Sequence, residues 1–205
     1  WSTDIDTYYK KNKGKNALSL GFLNPDDSRF HEGEQTVLGV DFYIKKDFKF
    51  IKTWISYSFN DVISTYEGLN DDQSFTSSLN IRHSFTSSIA FKVNKFQIAL
   101  AWNWRSGKPF TKSYVSPNEQ FYYLGINTEK LPNYHRLDIS STYSFNFSKK
   151  SKLKGKLGFS VRNIYNQKNL ISREYVGNNN LDNSVEIIDK YSLEITPNFL
   201  FRMTF

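Results

Sequence analysis

Ile195 to Phe205 reads ITPNFLFRMTF. Taken in steps of two, it places Phe205, Met203, Phe201, Phe199, Pro197 and Ile195 on one side and Thr204, Arg202, Leu200, Asn198 and Thr196 on the other. Successive side chains leave a pleated strand on opposite faces, so this period of two defines a β-strand with one apolar and one mostly polar face. The stretch also closes on an aromatic residue, whereas chain ends usually fray and are polar. A closing strand of this kind suits a wall whose edges must pair and whose outer face meets lipid. The alternative is an amphipathic closing strand of a soluble sandwich.

The same period recurs upstream. Phe96 to Arg105 sets Phe96, Ile98, Leu100, Trp102 and Trp104 against Gln97, Ala99, Ala101, Asn103 and Arg105. Residues 134–147 oppose Leu137, Ile139, Tyr143, Phe145 and Phe147 to Arg136, Asp138, Ser140, Thr142 and Asn146, and 153–166 alternate in the same way. Further strands are expected at 4–9, 17–23, 35–46, 49–60 and 80–93, giving nine in all. An uncertain hairpin lies within 167–194, around an Asn-rich tip at Asn178 to Asn180. Short connections are expected at 10–16 (KKNKGKN), 46–48, 93–95 and 148–152, and long polar ones at 24–34, 61–79, 106–133 and 167–194. Alternation of short and long connections, with strands longer than the usual five or six residues, is the pattern of an outer-membrane barrel.

Composition agrees and excludes other classes. The chain has no Cys, so disulfides, thiol chemistry and Cys-ligated zinc are ruled out. Mean hydropathy is −0.56, and no run of about 20 apolar residues exists to form a membrane helix. A barrel tolerates this, because its lumen face and loops dilute the apolar signal. Net charge is +7, which a basic nucleic-acid binder would share, so charge alone decides nothing. No apolar signal peptide begins at Trp1, so export would require a start further upstream.

Aromatic residues of the apolar faces fall into two bands. Phe91, Phe96, Phe145, Phe147 and Phe205 lie by the short turns, and Tyr57, Phe59, Trp102, Trp104 and Tyr165 by the long loops, as interfacial girdles would. The short turns are basic, with Lys10, Lys11, Lys13, Lys15, Lys45, Lys46, Lys92, Lys95, Lys149, Lys150 and Lys152. They fit a ring facing anionic headgroups, or plain solvation of tight turns. Nine strands is an odd number, and single-chain bacterial barrels usually have an even one. The expected fold is therefore all-β: an antiparallel up-and-down transmembrane β-barrel, with about nine or ten strands forming the C-terminal part of a barrel of about 22 strands. The whole of 1–205 is expected to be one partial domain, without a plug or N-terminal strands.

The run Leu131 to Tyr143 (LPNYHRLDISSTY), then Gly158 to Asn166 (GFSVRNIYN) with Gln167-Lys168-Asn169, then Ile195 to Phe205, resembles the closing three strands of TonB-dependent outer-membrane receptors. Arg105 to Thr111 (RSGKPFT) resembles the family's Arg-x-Gly-x-Pro-[Tyr/Phe], and Gly39 to Tyr43 with Tyr57-Ser-Phe resembles its preceding hairpin. The richness in Asn, Lys and Tyr is similar to Bacteroidetes members. The resemblance covers most of 35–205. It implies energised uptake of a scarce ligand (a siderophore, glycan or similar) across the cell outer membrane of a Gram-negative bacterium. TonB would act through a plug that is not in this chain, and a surface lipoprotein is a further candidate partner. The Phe-ended strand resembles the signal read by the barrel assembly machinery. Phe199, Phe201, Met203 and Phe205 would form it, offering a lipid-facing edge that pairs by strand addition.

For ligand contact the aromatic residues of the long loop, Tyr114, Phe121, Tyr122 and Tyr123, are the candidates, since rings on outer loops stack on sugars or chelates; self-packing of the loop competes. Arg105, Arg136, Asp138, Arg162 and Arg202 would line the lumen, where they pair with one another or hold a plug. Arg136 and Asp138 share a face at i, i+2, so a structural ion pair is expected there. No catalytic or metal-binding set and no cofactor is expected: His83 and His135 fall on apolar faces, and His135 lies on the face opposite Asp138. The competing assignments are a small stand-alone outer-membrane barrel, porin-like or hydrolytic, and a soluble basic β-protein that binds nucleic acid; no nucleic-acid partner is expected here.

Overall fold

A computed structural model of the chain describes residues 1–18, 30–115, 121–148, 153–177 and 185–205, with the side chains of 18, 115, 121, 122, 177 and 185 outside the description. The strands in order are β1 (Ser2–Leu18), β2 (Phe30–Asp47), β3 (Ile51–Tyr66), β4 (Phe75–Thr76), β5 (His83–Val93), β6 (Phe96–Arg105), β7 (Pro109–Phe110), β8 (Ser113–Val115), β9 (Phe121–Tyr123), β10 (Glu129–Lys130), β11 (Tyr134–Asn146), β12 (Lys154–Arg162), β13 (Leu170–Gly177), β14 (Val185–Tyr191) and β15 (Thr196–Thr204). No helix occurs among the described residues. Eight long strands form one antiparallel meander in the order β1-β2-β3-β5-β6-β11-β12-β15, and β4 adds to β3. The sheet is open, because β1 and β15 are its two ends and do not pair with each other.

The eight long strands replace the nine expected. Lys10 to Asn16 is not a turn: β1 runs straight through it, pairing Lys10 with Val37 and Asn12 with Gln35. The register slips once, between Asn12 and Lys15, where Gly14 takes φ +66 in the left-handed region that glycine enters without steric cost. Ladder bonds to β2 override the turn composition, and Lys11 is held at 2.7 Å by Glu34 across the pair. Lys10, Lys11, Lys13 and Lys15 therefore leave the expected basic ring, since the short-turn end of β1 is where Ser2 meets Lys45. Within that ring Lys45 pairs with Asp47 at 3.2 Å and Lys46 lies 4.5 Å over the Trp1 ring. Lys149, Lys150 and Lys152 lie outside the described residues, as do the expected strand end at 19–23 and the Asn178 to Asn180 tip. With eight long strands among the described residues, the count is even and no longer argues for a larger barrel.

Two of the four expected short turns, near 46–48 and 93–95, are present. Phe48 donates to the carbonyl of Ile51 at 2.7 Å, closing β2 onto β3, and Asn94 takes φ +53 between β5 and β6. The long connections gather at the other end of the sheet. Between 167 and 194 the chain forms β13 and β14, a two-stranded sheet separate from the meander.

Register turns the separate periodicities into continuous rows. Ile51, Phe91, Ile98, Ser141, Phe159 and Phe199 stand opposite one another across six strands. A second row, toward the long loops, runs Ile5, Phe42, Tyr57, Phe85, Trp104 and His135. The reverse face carries rows such as Asp4, Tyr43, Ser56, Thr86, Asn103 and Arg136. The buried apolar side chains among the described residues are Val62, Leu69, Ile126, Leu131 and Leu170, and none of them belongs to the apolar rows. The rows themselves are open, with Phe91 41%, Phe159 53% and Phe199 69% exposed. A sandwich would need a second layer over these rows, and among the described residues none covers them.

Candidate functional site

The polar face rises toward the long loops and ends in a cleft of about 440 Å³. Register brings three of the five lumen candidates to it from different strands: Arg105 ends β6, Arg136 follows Tyr134 in β11, and Arg162 ends β12 opposite Thr196. All three line the cleft, together with Tyr134, Ile171, Tyr191 and Glu194. A smaller cavity of about 280 Å³ shares Arg105, Tyr134 and Arg136 and continues along the polar face to Ser84 and Thr86. Asp138 stands behind the cleft as the partner of Arg136. Arg202 lies away from it, opposite Lys156 toward the short-turn end.

The expected ion pair is present. Arg136 Nε donates to Asp138 Oδ2 at 3.0 Å, and Arg136 Nη1 donates to the Tyr134 hydroxyl at 3.2 Å. The Arg105 guanidinium stacks 4.4 Å from the Tyr134 ring centroid. Asp138 also accepts from the Asn163 amide at 2.9 Å, so its second oxygen is tied to the backbone that leaves β12.

Asn163 starts a knot that sequence reasoning missed. It is 1% exposed at φ +56, accepts from the Gln167 amide at 3.0 Å and donates to the Gln167 carbonyl at 2.9 Å. Asn169, also buried, accepts from the His135 amide and donates to the His135 carbonyl, both at 2.9 Å, mimicking a ladder partner for the start of β11. Asn166 takes φ +53 and accepts from the Ile195 amide at 2.9 Å, fixing the entry to β15. Three Asn at spacing of three just past a strand were the available signal, since Asn tolerates the left-handed region and can bond to nearby backbone. Asn163→Ala leaves two half-buried backbone groups of Gln167 without their partner. A loss of about 1–3 kcal/mol is expected, read as a lower melting midpoint and faster exchange at the Gln167 amide.

β13 and β14 roof the cleft. Arg173 grips Asp189 with two bonds of 2.6 and 2.7 Å, and Lys190 pairs with Glu174. Hydrogen bonding to Asp189 raises the Arg173 guanidinium above its ordinary range, and the bonds from Arg173 hold the Asp189 carboxyl below its own. Phe110 stacks on Tyr175, joining the long loop to this roof.

Two of the stretches that carry the family resemblance, 105–111 and the start of 131–143, meet beside the cleft. The Gly107 amide donates to Asn133 Oδ1 at 3.2 Å, the Leu131 amide donates to the Lys108 carbonyl at 2.9 Å, and β7 pairs with β10. Residues 105–111 and 131–133 thus form one clasp at the base of the long loop.

Of the aromatic candidates of that loop, Tyr114 and Tyr123 are not among the residues that line the cleft. In the β8–β9 hairpin Tyr114 faces Tyr122 and Val115 faces Phe121. Lys112 lies 4.9 Å over the Tyr114 ring, and the side chains of Phe121 and Tyr122 fall outside the description. Phe199, Phe201 and Met203 share the open side of β15, and Phe205, one residue past its end, is 93% exposed. His83 and His135 each bond a tyrosine hydroxyl, of Tyr57 and Tyr165, at 2.9 Å on the apolar face. Among the described residues no group of three His, Cys, Asp or Glu is placed to hold a metal ion. Compared with protein-family models, curated proteins and solved structures, the chain matches none.

Proposed function

We propose that this chain is a sector of the wall of an outer-membrane β-barrel, the C-terminal part of a larger barrel of about 22 strands. On this reading it serves energised uptake of a scarce ligand, as TonB-dependent receptors do. The supporting observation is the pairing of uncovered apolar rows on one face with polar rows on the other. Burial of apolar surface is worth about 25 cal/mol per Å², so a meander with an open row of Phe, Ile and Trp must find an apolar medium or a partner. The apolar positions from Ile51 to Phe59 and from Phe96 to Trp104 each span nine residues, enough for a tilted strand to cross the hydrocarbon layer. TonB coupling rests on the resemblance of the motifs in the clasp and in the last three long strands. The bilayer, the barrel assembly machinery and TonB acting through a plug are the partners it carries, with a surface lipoprotein as a further one.

The count of eight strands favours a second reading, a small stand-alone barrel, because eight is a permitted number for closure. The two differ at the sheet's ends. A closed eight-stranded barrel pairs β1 with β15, whereas a larger barrel separates them. Cysteine pairs placed across Thr7 and Phe201 and their neighbours, in membranes, should fail to cross-link in the larger barrel. Ready cross-linking would select the small one. In cells the larger-barrel reading further requires that uptake stop when TonB is removed.

A further inference from the structure

We propose that the cleft of Arg105, Arg136 and Arg162 binds the carboxylate of a small organic acid with an apolar body. Arg136 is already neutralised by Asp138, so Arg105 and Arg162 supply the attraction. Among the described residues neither has a carboxylate within ion-pair distance, and the one acid at the rim, Glu194, lies 3.9 Å from Lys168. A guanidinium offers parallel N–H donors that match a carboxylate in two bonds, and the Tyr134 ring beneath Arg105 fixes its plane. Ile171, Tyr191 and Leu193 add apolar surface to a wall that also carries Asn163, Ser192 and Thr196. The three apolar side chains give a hydrocarbon or ring a place that a bare phosphate does not use, while Glu194 opposes a doubly charged ion. The volume falls in the range of small-molecule sites, about 300–1,000 Å³. The Arg173–Asp189 and Phe110–Tyr175 contacts hold the roof in place without occupying the cleft.

This inference rests on the proposed function only in requiring that the polar face meet water. The full chain in detergent micelles is titrated by calorimetry with 2-naphthoate, 2-naphthamide and inorganic phosphate. Saturable naphthoate binding is expected, at least tenfold tighter than naphthamide or phosphate, and weakened at least tenfold in Arg162→Gln and in Arg105→Gln. Equal binding of naphthoate and naphthamide overturns the proposal, as does affinity unchanged in both variants, and tighter phosphate binding replaces it with a phosphate site. Arg162 has no side-chain partner among the described residues, so Arg162→Gln should retain the sheet signal in circular dichroism; binding lost with that signal intact is the supporting result. If naphthoate binds to a chain that needs no detergent, the membrane reading falls and the cleft stands. If the chain needs detergent and naphthoate does not bind, the reverse holds.

Discussion

Ile139→Arg is expected to destabilise the folded chain in bilayers by about 2–4 kcal/mol, while Ser140→Arg, one residue along, changes it by no more than about 0.5 kcal/mol. Ile139 stands opposite Leu100 and Val161, in the row midway between the two aromatic bands. On the proposed reading a guanidinium there has neither water nor a carboxylate in reach. Ser140 stands opposite Ala99 and Ser160 on the polar face, where a long cation can reach solvent. Urea unfolding in vesicles of a thin-chained lipid reads both values. Equal costs at the two positions would mean that the faces do not differ in their surroundings. The contrast matters more than either number, because both substitutions add the same side chain to the same strand.

Gly107→Ala is expected to open the clasp at the base of the long loop, at a cost of about 1–3 kcal/mol or more. A Cβ at this position would come within 1.6 Å of the Leu131 carbonyl oxygen, which is backbone and cannot swing away. Either β7 and β10 separate or the Gly107–Asn133 and Leu131–Lys108 bonds are lost. Hydrogen exchange at the Leu131 amide should accelerate, and proteolysis within 106–133 should appear, with the meander intact. The same substitution at Gly155 is a milder case, since the added carbon meets the Phe145 ring, at 2.4 Å, and a ring can tilt.

Much of the sheet was legible in the sequence because its code is local. Period-two alternation in Phe96–Arg105 and Ile195–Phe205 reports the two faces directly, and the register confirms which residues share each face. The Arg136–Asp138 pair was legible for the same reason. What failed depended on partners. Lys10 to Asn16 has a turn's composition, and only its ladder to β2 makes it strand. The cleft required Arg105, Arg136 and Arg162 to arrive from three strands under a roof made by a fourth segment, a juxtaposition that spacing does not encode. The Asn163–Asn169 knot was visible as three asparagines and could have been read as a left-handed turn, yet its bonds to His135 and Ile195 reach 34 and 29 residues away.

The central claim is that the apolar rows touch acyl chains while the reverse face meets water. Trp102 lies on the apolar face opposite Ser87 and Leu137, and Trp54 lies on the polar face opposite Ser88 and Lys45, one ladder position along. Single-tryptophan variants retaining one or the other can be placed in vesicles whose lipids carry bromine midway along the acyl chain. Strong quenching of Trp102 with little quenching of Trp54 is the predicted result; equal quenching of the two, or none at Trp102, would contradict it.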